Sequence, residues 1–270
     1  MQRSFREGPW NIETEKGPIL GNEDVGKYED KLGIPMPEMV FGSNFLRLTH
    51  KDSGKFICFN AFDALSTVKL GEPDLKLAHT DVWKASKKKF KSEVPVEPGQ
   101  TDYDVDHVHN PYDWTYSIEY QGTTDLNFNK IPESEAMKDS NEIQIPYTKL
   151  QRKEPIMFFD DVMLYEDELG DFGICTYSVK IRVMQDSLFL LARMFMRADN
   201  VAFRIRDTRV FVDFKLGRVI REYTEKQGSY AFVKDKIPLW EHDFSKMMRD
   251  PQWVDTILPL EKIEIDYADI

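Results

Sequence analysis

Apolar and polar residues alternate most clearly in the second half of the chain. Cys175, Tyr177, Val179, Ile181 and Val183 fall on one parity, and Ser178, Lys180 and Arg182 on the other. A period of two is the spacing of a strand with one covered face. Asp161–Glu168 (DVMLYEDE) alternates in the same way, and Gly217–Glu225 (GRVIREYTE) adds a strand after Lys215-Leu216-Gly217. Residues Leu188–Phe214 are rich in helix formers at their start, which favours a helix. Against that, Arg193 and Arg197 share one parity, Asp199-Asn200 reads as a turn, and Val201–Phe211 alternates. A long hairpin is the better expectation.

Nearer the N-terminus, Gly8–Thr14 (GPWNIET) reads as a short strand. Gly21–Pro35 reads as a helix with Asn22 as N-cap, acids in its first turn, and Gly33 and Pro35 ending it. Two alternating runs, Asn44–His50 and Lys55–Ala61, flank Asp52-Ser53-Gly54 and form a hairpin. Residues 61–68 (AFDALSTV) and 81–86 (DVWKAS) read as helical. Trp114, Tyr116, Ile118 and Tyr120 alternate with Asp113, Thr115, Ser117 and Glu119, which predicts a further half-buried strand. Residues 88–111 and 123–150 lose periodicity and are expected to be mobile loops, the second anchored by Ile143 and Ile145. The tail, residues 237–259, holds two Pro-punctuated helical pieces. The sum is a single α+β domain over 1–270, mainly antiparallel hairpins stacked sandwich-like, with peripheral helices and two long loops.

Composition narrows the class. Aromatic residues make up 13% of the 270-residue chain, enough for a packed core and too much for a disordered one. A formal charge of -11 argues against a nucleic-acid binder, whose affinity comes largely from neutralising phosphates. The one basic run, Lys84–Lys91, reads as a solvated face or a partner-contact strip. No apolar run is long enough for a membrane span, and no N-terminal apolar stretch looks like a signal peptide. Cys58 and Cys175 lie in strand-like runs without Cys-x-x-Cys spacing, so they read as reduced core thiols of a cytosolic or nuclear protein.

Candidate chemistry is sparse. The phosphate-binding, dinucleotide-binding, nucleophile-elbow and His-Glu-x-x-His patterns are absent. Asp104, Asp106, His107 and His109 could ligate a metal from an extended segment, or belong to a flexible acidic loop. Asp160, Asp161, Glu166, Asp167, Glu168 and Asp171 could supply paired carboxylates, so a metal-dependent hydrolase built on 104–109 and 160–171 is one functional reading. Lys180, Arg182, Arg193, Arg197, Arg204, Arg206 and Arg209 carry the opposite charge on neighbouring strands and are expected to pair with those same acids across the strands.

Eight short stretches occur in one order: GPW (8–10), MPEMVFG (36–42), FNAFDAL (59–65), PYDWTY (111–116), YEDELGDFG (165–173), SVKIRVM (178–184), IRDTR (205–209) and REYT (221–224). In these the chain resembles the TIPRL family, the TOR signalling pathway regulator-like proteins that interact with type 2A phosphatases. The resemblance implies a non-catalytic, cytoplasmic regulator without cofactor or metal. Its partners would be the catalytic subunits of type 2A-class Ser/Thr phosphatases (types 2A, 4 and 6), with no nucleic acid and no membrane. It places partner contacts on Asp63, Ile205 and Asp207, and on Ile145 by distance along the polar insertion. Asp63, Ile205 and Asp207 are then expected to converge on one exposed patch.

Overall fold

A computed structural model describes residues 1–71, 75, 112–136, 143–151, 153–238 and 244–270. Two antiparallel sheets carry the architecture. The smaller contains β1 (Gln2–Glu7), β2 (Trp10–Glu15), β4 (Phe45–His50), β5 (Phe56–Asn60) and β6 (Thr123–Thr124), hydrogen-bonded in that order. The larger runs β3 (Met39–Val40), β8 (Phe158–Asp167), β9 (Gly173–Val183), β10 (Ser187–Ala198), β11 (Ala202–Asp213), β12 (Arg218–Ser229), β13 (Leu260–Asp269) and β7 (Asn129–Lys130). This is the α+β architecture expected, with antiparallel strands dominant and short helices at the periphery.

The long hairpin is present. β10 and β11 pair from Ser187↔Asp213 to Ala198↔Ala202, and Asn200 takes the left-handed conformation that the turn requires (φ 61). Gly173 opens β9 at φ 154, opposite Ala198, where a Cβ would sit 1.9 Å from the Arg197 carbonyl oxygen. Only glycine fits there.

Alternation along these strands produces two distinct faces. On β10 and β11 the even-numbered residues, such as Leu190, Met194, Val210 and Val212, join Trp10, Ile12, Leu48 and Phe59 of the small sheet in the main core. The odd-numbered residues form the outer face. Arg3 Nη1 donates to the Phe159 carbonyl (3.0 Å) and Asn44 Nδ2 to that of Met163 (2.7 Å), so side chains seal backbone acceptors of β8. Asp160 is fully buried there and accepts from Thr14 Oγ1 at 2.6 Å, with Lys16 Nζ at 2.5 Å, which ties the N-terminal hairpin to β8.

Several expectations need correcting. Residues 112–121 form no paired strand; 113–118 are buried on both parities. Their carbonyls instead accept side-chain donors from the large sheet, Tyr165 Oη on Tyr116 at 2.9 Å and Tyr177 Oη on Tyr120 at 3.4 Å. The segment fills the core, and alternation mimicked a strand. Helix α1 (Asn22–Leu32) is capped by Gly21 rather than Asn22, and ends as expected at Gly33, left-handed at φ 71. Helix α2 (Ala61–Leu65) follows β5 as read.

Within 123–150 the described residues form β6, β7 and two single-turn helices, α3 (Glu133–Ala136) and α4 (Tyr147–Leu150). Ile145 is buried with Phe211, Ile220 and Ile265, covering one end of the outer face. Helices α5 (Tyr230–Asp235), α6 (Phe244–Met248) and α7 (Pro251–Ile257) cover the other end through Val233, Met248 and Val254. The two helical pieces read in the tail are α6 and α7. The helical reading of 81–86, the 88–111 loop, the Lys84–Lys91 run and the 104–109 Asp/His stretch lie outside the described residues.

Candidate functional site

Between those two covers the outer face stays open as a cleft of about 430 Å³, lined by Tyr147, Leu191, Arg193, Phe195, Arg209 and Asp255 among others. Its floor is β9–β11; α4 forms one wall and α7 the other. The strand register explains the charges beside it. Arg193 lies directly opposite Asp207, and Arg209 follows Asp207 by two positions, so all three side chains project from one face.

Asp207 has no exposed surface. Arg193 donates to it through Nε (2.8 Å to Oδ1) and Nη2 (2.6 Å to Oδ2), and Arg209 Nη2 adds a third bond at 2.6 Å to Oδ2. Arg209 Nη1 also reaches Glu222 Oε1 at 3.0 Å, and Tyr147 Oη donates to the same oxygen at 2.8 Å. From α7, Asp255 accepts from Arg193 Nη2 at 2.9 Å and Lys226 Nζ at 2.7 Å. Burial alone lowers the Arg193 pKa, but the Asp207 carboxylate outweighs it and leaves the guanidinium above its ordinary value. Burial raises the Asp255 carboxyl, yet Lys226 and Arg193 bring it below the usual range. Three carboxylates thus balance three cations, and the cluster is fixed by mutual pairing.

The four residues expected to contact a partner do not form one exposed patch. Ile205 and Asp207 share the outer face, as their spacing dictates, but both are covered: Ile205 is 1% exposed beneath Val233, Val254 and Leu258. Ile145, 3% exposed, lies under the other cover. Asp63 belongs to the small sheet, in α2, where it is half-buried. Asp207 pairs internally with Arg193 and Arg209, so reversing its charge would damage the fold rather than report on a surface contact.

Of the basic residues expected to pair with the 160–171 acids across the strands, Lys180 does so with Asp161; Arg206 instead meets Glu225 on β12, and Arg204 meets Asp113, outside the sheets, at 3.8 Å. The 160–171 acids are dispersed. Asp160 engages the N-terminal hairpin, Asp161 pairs with Lys180, and Asp167 accepts the Glu38 and Leu169 amides. Among the described residues no three His, Cys, Asp or Glu side chains are grouped to hold a metal ion. Cys175 is buried and Cys58 half-buried, and burial pushes both thiols up. Glu222, Lys226 and Asp255 complete the cluster but escaped the sequence reading. Nothing in their local pattern marks them; only the strand register and the position of α7 bring them to Asp207.

A profile of the TIP41-like family matches residues 39–234. The chain belongs to the TIP41-like family. That agrees with the resemblance carried by the eight stretches, six of which lie wholly inside the matched span. The chain is 39% identical over 258 residues to the type 2A phosphatase activator TIP41 of Saccharomyces cerevisiae, covering 94% of this chain and 71% of that protein. It is 36% identical over 264 residues to the human TIP41-like protein, covering 96% and 87%. The type 2A phosphatase activator tip41 of Schizosaccharomyces pombe is 31% identical over 245 residues, with 91% and 89% covered. These names describe a phosphatase-related regulator rather than an enzyme. No helix among the described residues is long and apolar enough to cross a membrane.

Proposed function

We propose that this family member is a non-catalytic cytoplasmic regulator that binds the catalytic subunits of type 2A-class Ser/Thr phosphatases, types 2A, 4 and 6, and modulates their activity or assembly in TOR signalling. The observation that carries this reading is similarity, over 94% and 91% of this chain, to two proteins named type 2A phosphatase activators. Charge supports it too: a chain of net charge -11 suits a partner surface with basic groups.

On this reading the four expected residues play different parts. Asp63, half-buried where the other three are buried, would touch the partner directly. Ile145 and Ile205 act from beneath, as anchors for the two covers that form the cleft walls. Asp207 holds Arg193 and Arg209, two residues that line the cleft.

Immobilised chain incubated with purified catalytic subunits of the three phosphatase types tests the proposal. Retention of at least one type is expected, with a change in its turnover of a phosphopeptide. No retention of any type, in protein shown by circular dichroism to be folded, would refute it.

A further inference from the structure

The carboxylate of Asp63 is held through one oxygen. Asn60 Nδ2 donates to Oδ2 at 2.8 Å, and Thr123 Oγ1 donates to the same oxygen at 2.5 Å. Thr123 is itself fixed: its amide donates to the Tyr120 hydroxyl oxygen at 3.0 Å, and its own hydroxyl lies 2.8 Å from that group. The second oxygen, Oδ1, has no hydrogen-bond or ion-pair partner among the described residues.

Helix capping does not account for this arrangement. Asp63 is the third residue of α2, and its backbone N–H already donates to Asn60 Oδ1 at 2.9 Å. In a capping box the third residue's carboxylate would return to the cap residue's amide. Here it takes the cap residue's side-chain amide and, from β6, a hydroxyl 60 positions away in sequence. The cap is complete without the carboxylate.

A half-buried carboxylate with one oxygen satisfied and one unpartnered is arranged for a single-point contact with a donor from elsewhere. Holding the side chain beforehand lowers the conformational freedom lost on binding, and a charge-assisted bond is stronger than a neutral one. We propose that Asn60 and Thr123 are positioning residues that fix Asp63, so that Oδ1 accepts an arginine or lysine side chain of the protein partner. This rests on the phosphatase reading for the partner's identity.

Calorimetry with a phosphatase catalytic subunit at two salt concentrations tests it, using wild type, Asp63→Asn, Thr123→Val, Thr123→Ser and the double variant Asp63→Asn/Thr123→Val. Asp63→Asn should weaken binding about 10-fold and flatten its salt dependence. Thr123→Val should weaken it about 3- to 10-fold, Thr123→Ser should restore it, and the double variant should bind like Asp63→Asn alone. Melting temperatures of all variants should stay together. Thr123→Val binding like wild type, or losses that multiply in the double variant, would overturn the proposal while leaving the phosphatase reading intact. If the wild type binds no catalytic subunit, the phosphatase reading fails. An arginine-rich peptide then decides the positioning claim by the Asp63 carboxyl carbon resonance. A shift in wild type that Thr123→Val loses supports it; no shift, or equal shifts in both, overturns it.

Discussion

Asp207 shows how one residue's meaning changes with its surroundings. In the sequence it is an acid between two arginines, compatible with a turn, an ion pair or a binding residue. In the structure it receives three bonds from two guanidinium groups and has no contact with solvent. Removing one partner of a buried pair leaves the other charges uncompensated, which usually costs about 3–5 kcal/mol. Arg193 retains Asp255 and Arg209 retains Glu222, so the lower end applies. Asp207→Asn should therefore lose about 3 kcal/mol of stability, seen as a lower urea midpoint with unchanged slope. A midpoint equal to wild type would mean that the cluster reorganises without Asp207.

Among the elements, the strands with one covered face were legible because alternation reports burial directly. β9, β10, β11 and β12 follow from it, and so does the turn at Asp199-Asn200. The same signal misled at 112–121, where polar and apolar residues alternate but both sets are buried. Asp113 accepts from the Thr115 hydroxyl, and Ser117 bonds Thr115 and Arg204, so polar side chains satisfy one another inside the core. β13 carries a readable alternation, with Ile263, Ile265 and Tyr267 on one parity, but charged residues between them weaken the apolar signal and the sequence reading assigned it no element. β1 offers only Phe5 as an apolar residue and gave no signal. Its place is set by pairing with β2. Of the candidate site, the shared face of Ile205 and Asp207 was readable. Their burial was not, because the covering helices come from distant parts of the chain. Gly173 is where an element depends on a missing side chain. Gly173→Ala would force Cβ into the Arg197 carbonyl and separate β9 from β10 at that end. A loss of at least about 2 kcal/mol is expected, by analogy with other strained backbone sites. Amide exchange should rise first near Ala198, and unchanged protection there would contradict this account.

Across the whole molecule, carboxylates set the response to acid. Burial raises the Asp160 pKa, but hydrogen bonds from Lys16 and Thr14 more than offset it, and the group lies below its ordinary value. Asp255 and Asp213 are lowered likewise against burial, the first by Lys226 and Arg193, the second by the Leu216 amide and then Lys149. A depressed folded pKa contributes stability that is complete above the unfolded value, about 3.9, and lost as pH falls through the folded one. Asp167 and Glu166 are raised, chiefly by burial, and act in the opposite direction: their destabilisation sets in above about pH 4 and is relieved on acidification. Asp160→Asn should lower stability at pH 7, and the gap from wild type should narrow below about pH 4. Urea midpoints at pH 3, 5 and 7 check this, and a gap constant with pH would exclude Asp160 as a contributor.

The order of strands has a consequence for how the family is delimited. The matched stretch, 39–234, contains the long hairpins but excludes β1, β2, β13 and α7. Without β13, strand β12 would be an uncovered edge, and β7 would have no neighbour. Without β2, Asp160 would lose Thr14; without α7, Arg193 would lose Asp255. What the family profile spans is therefore not what folds. The diagnostic stretch is a portrait of the family rather than a physical unit, and a fragment cut to its borders would expose apolar surface and aggregate.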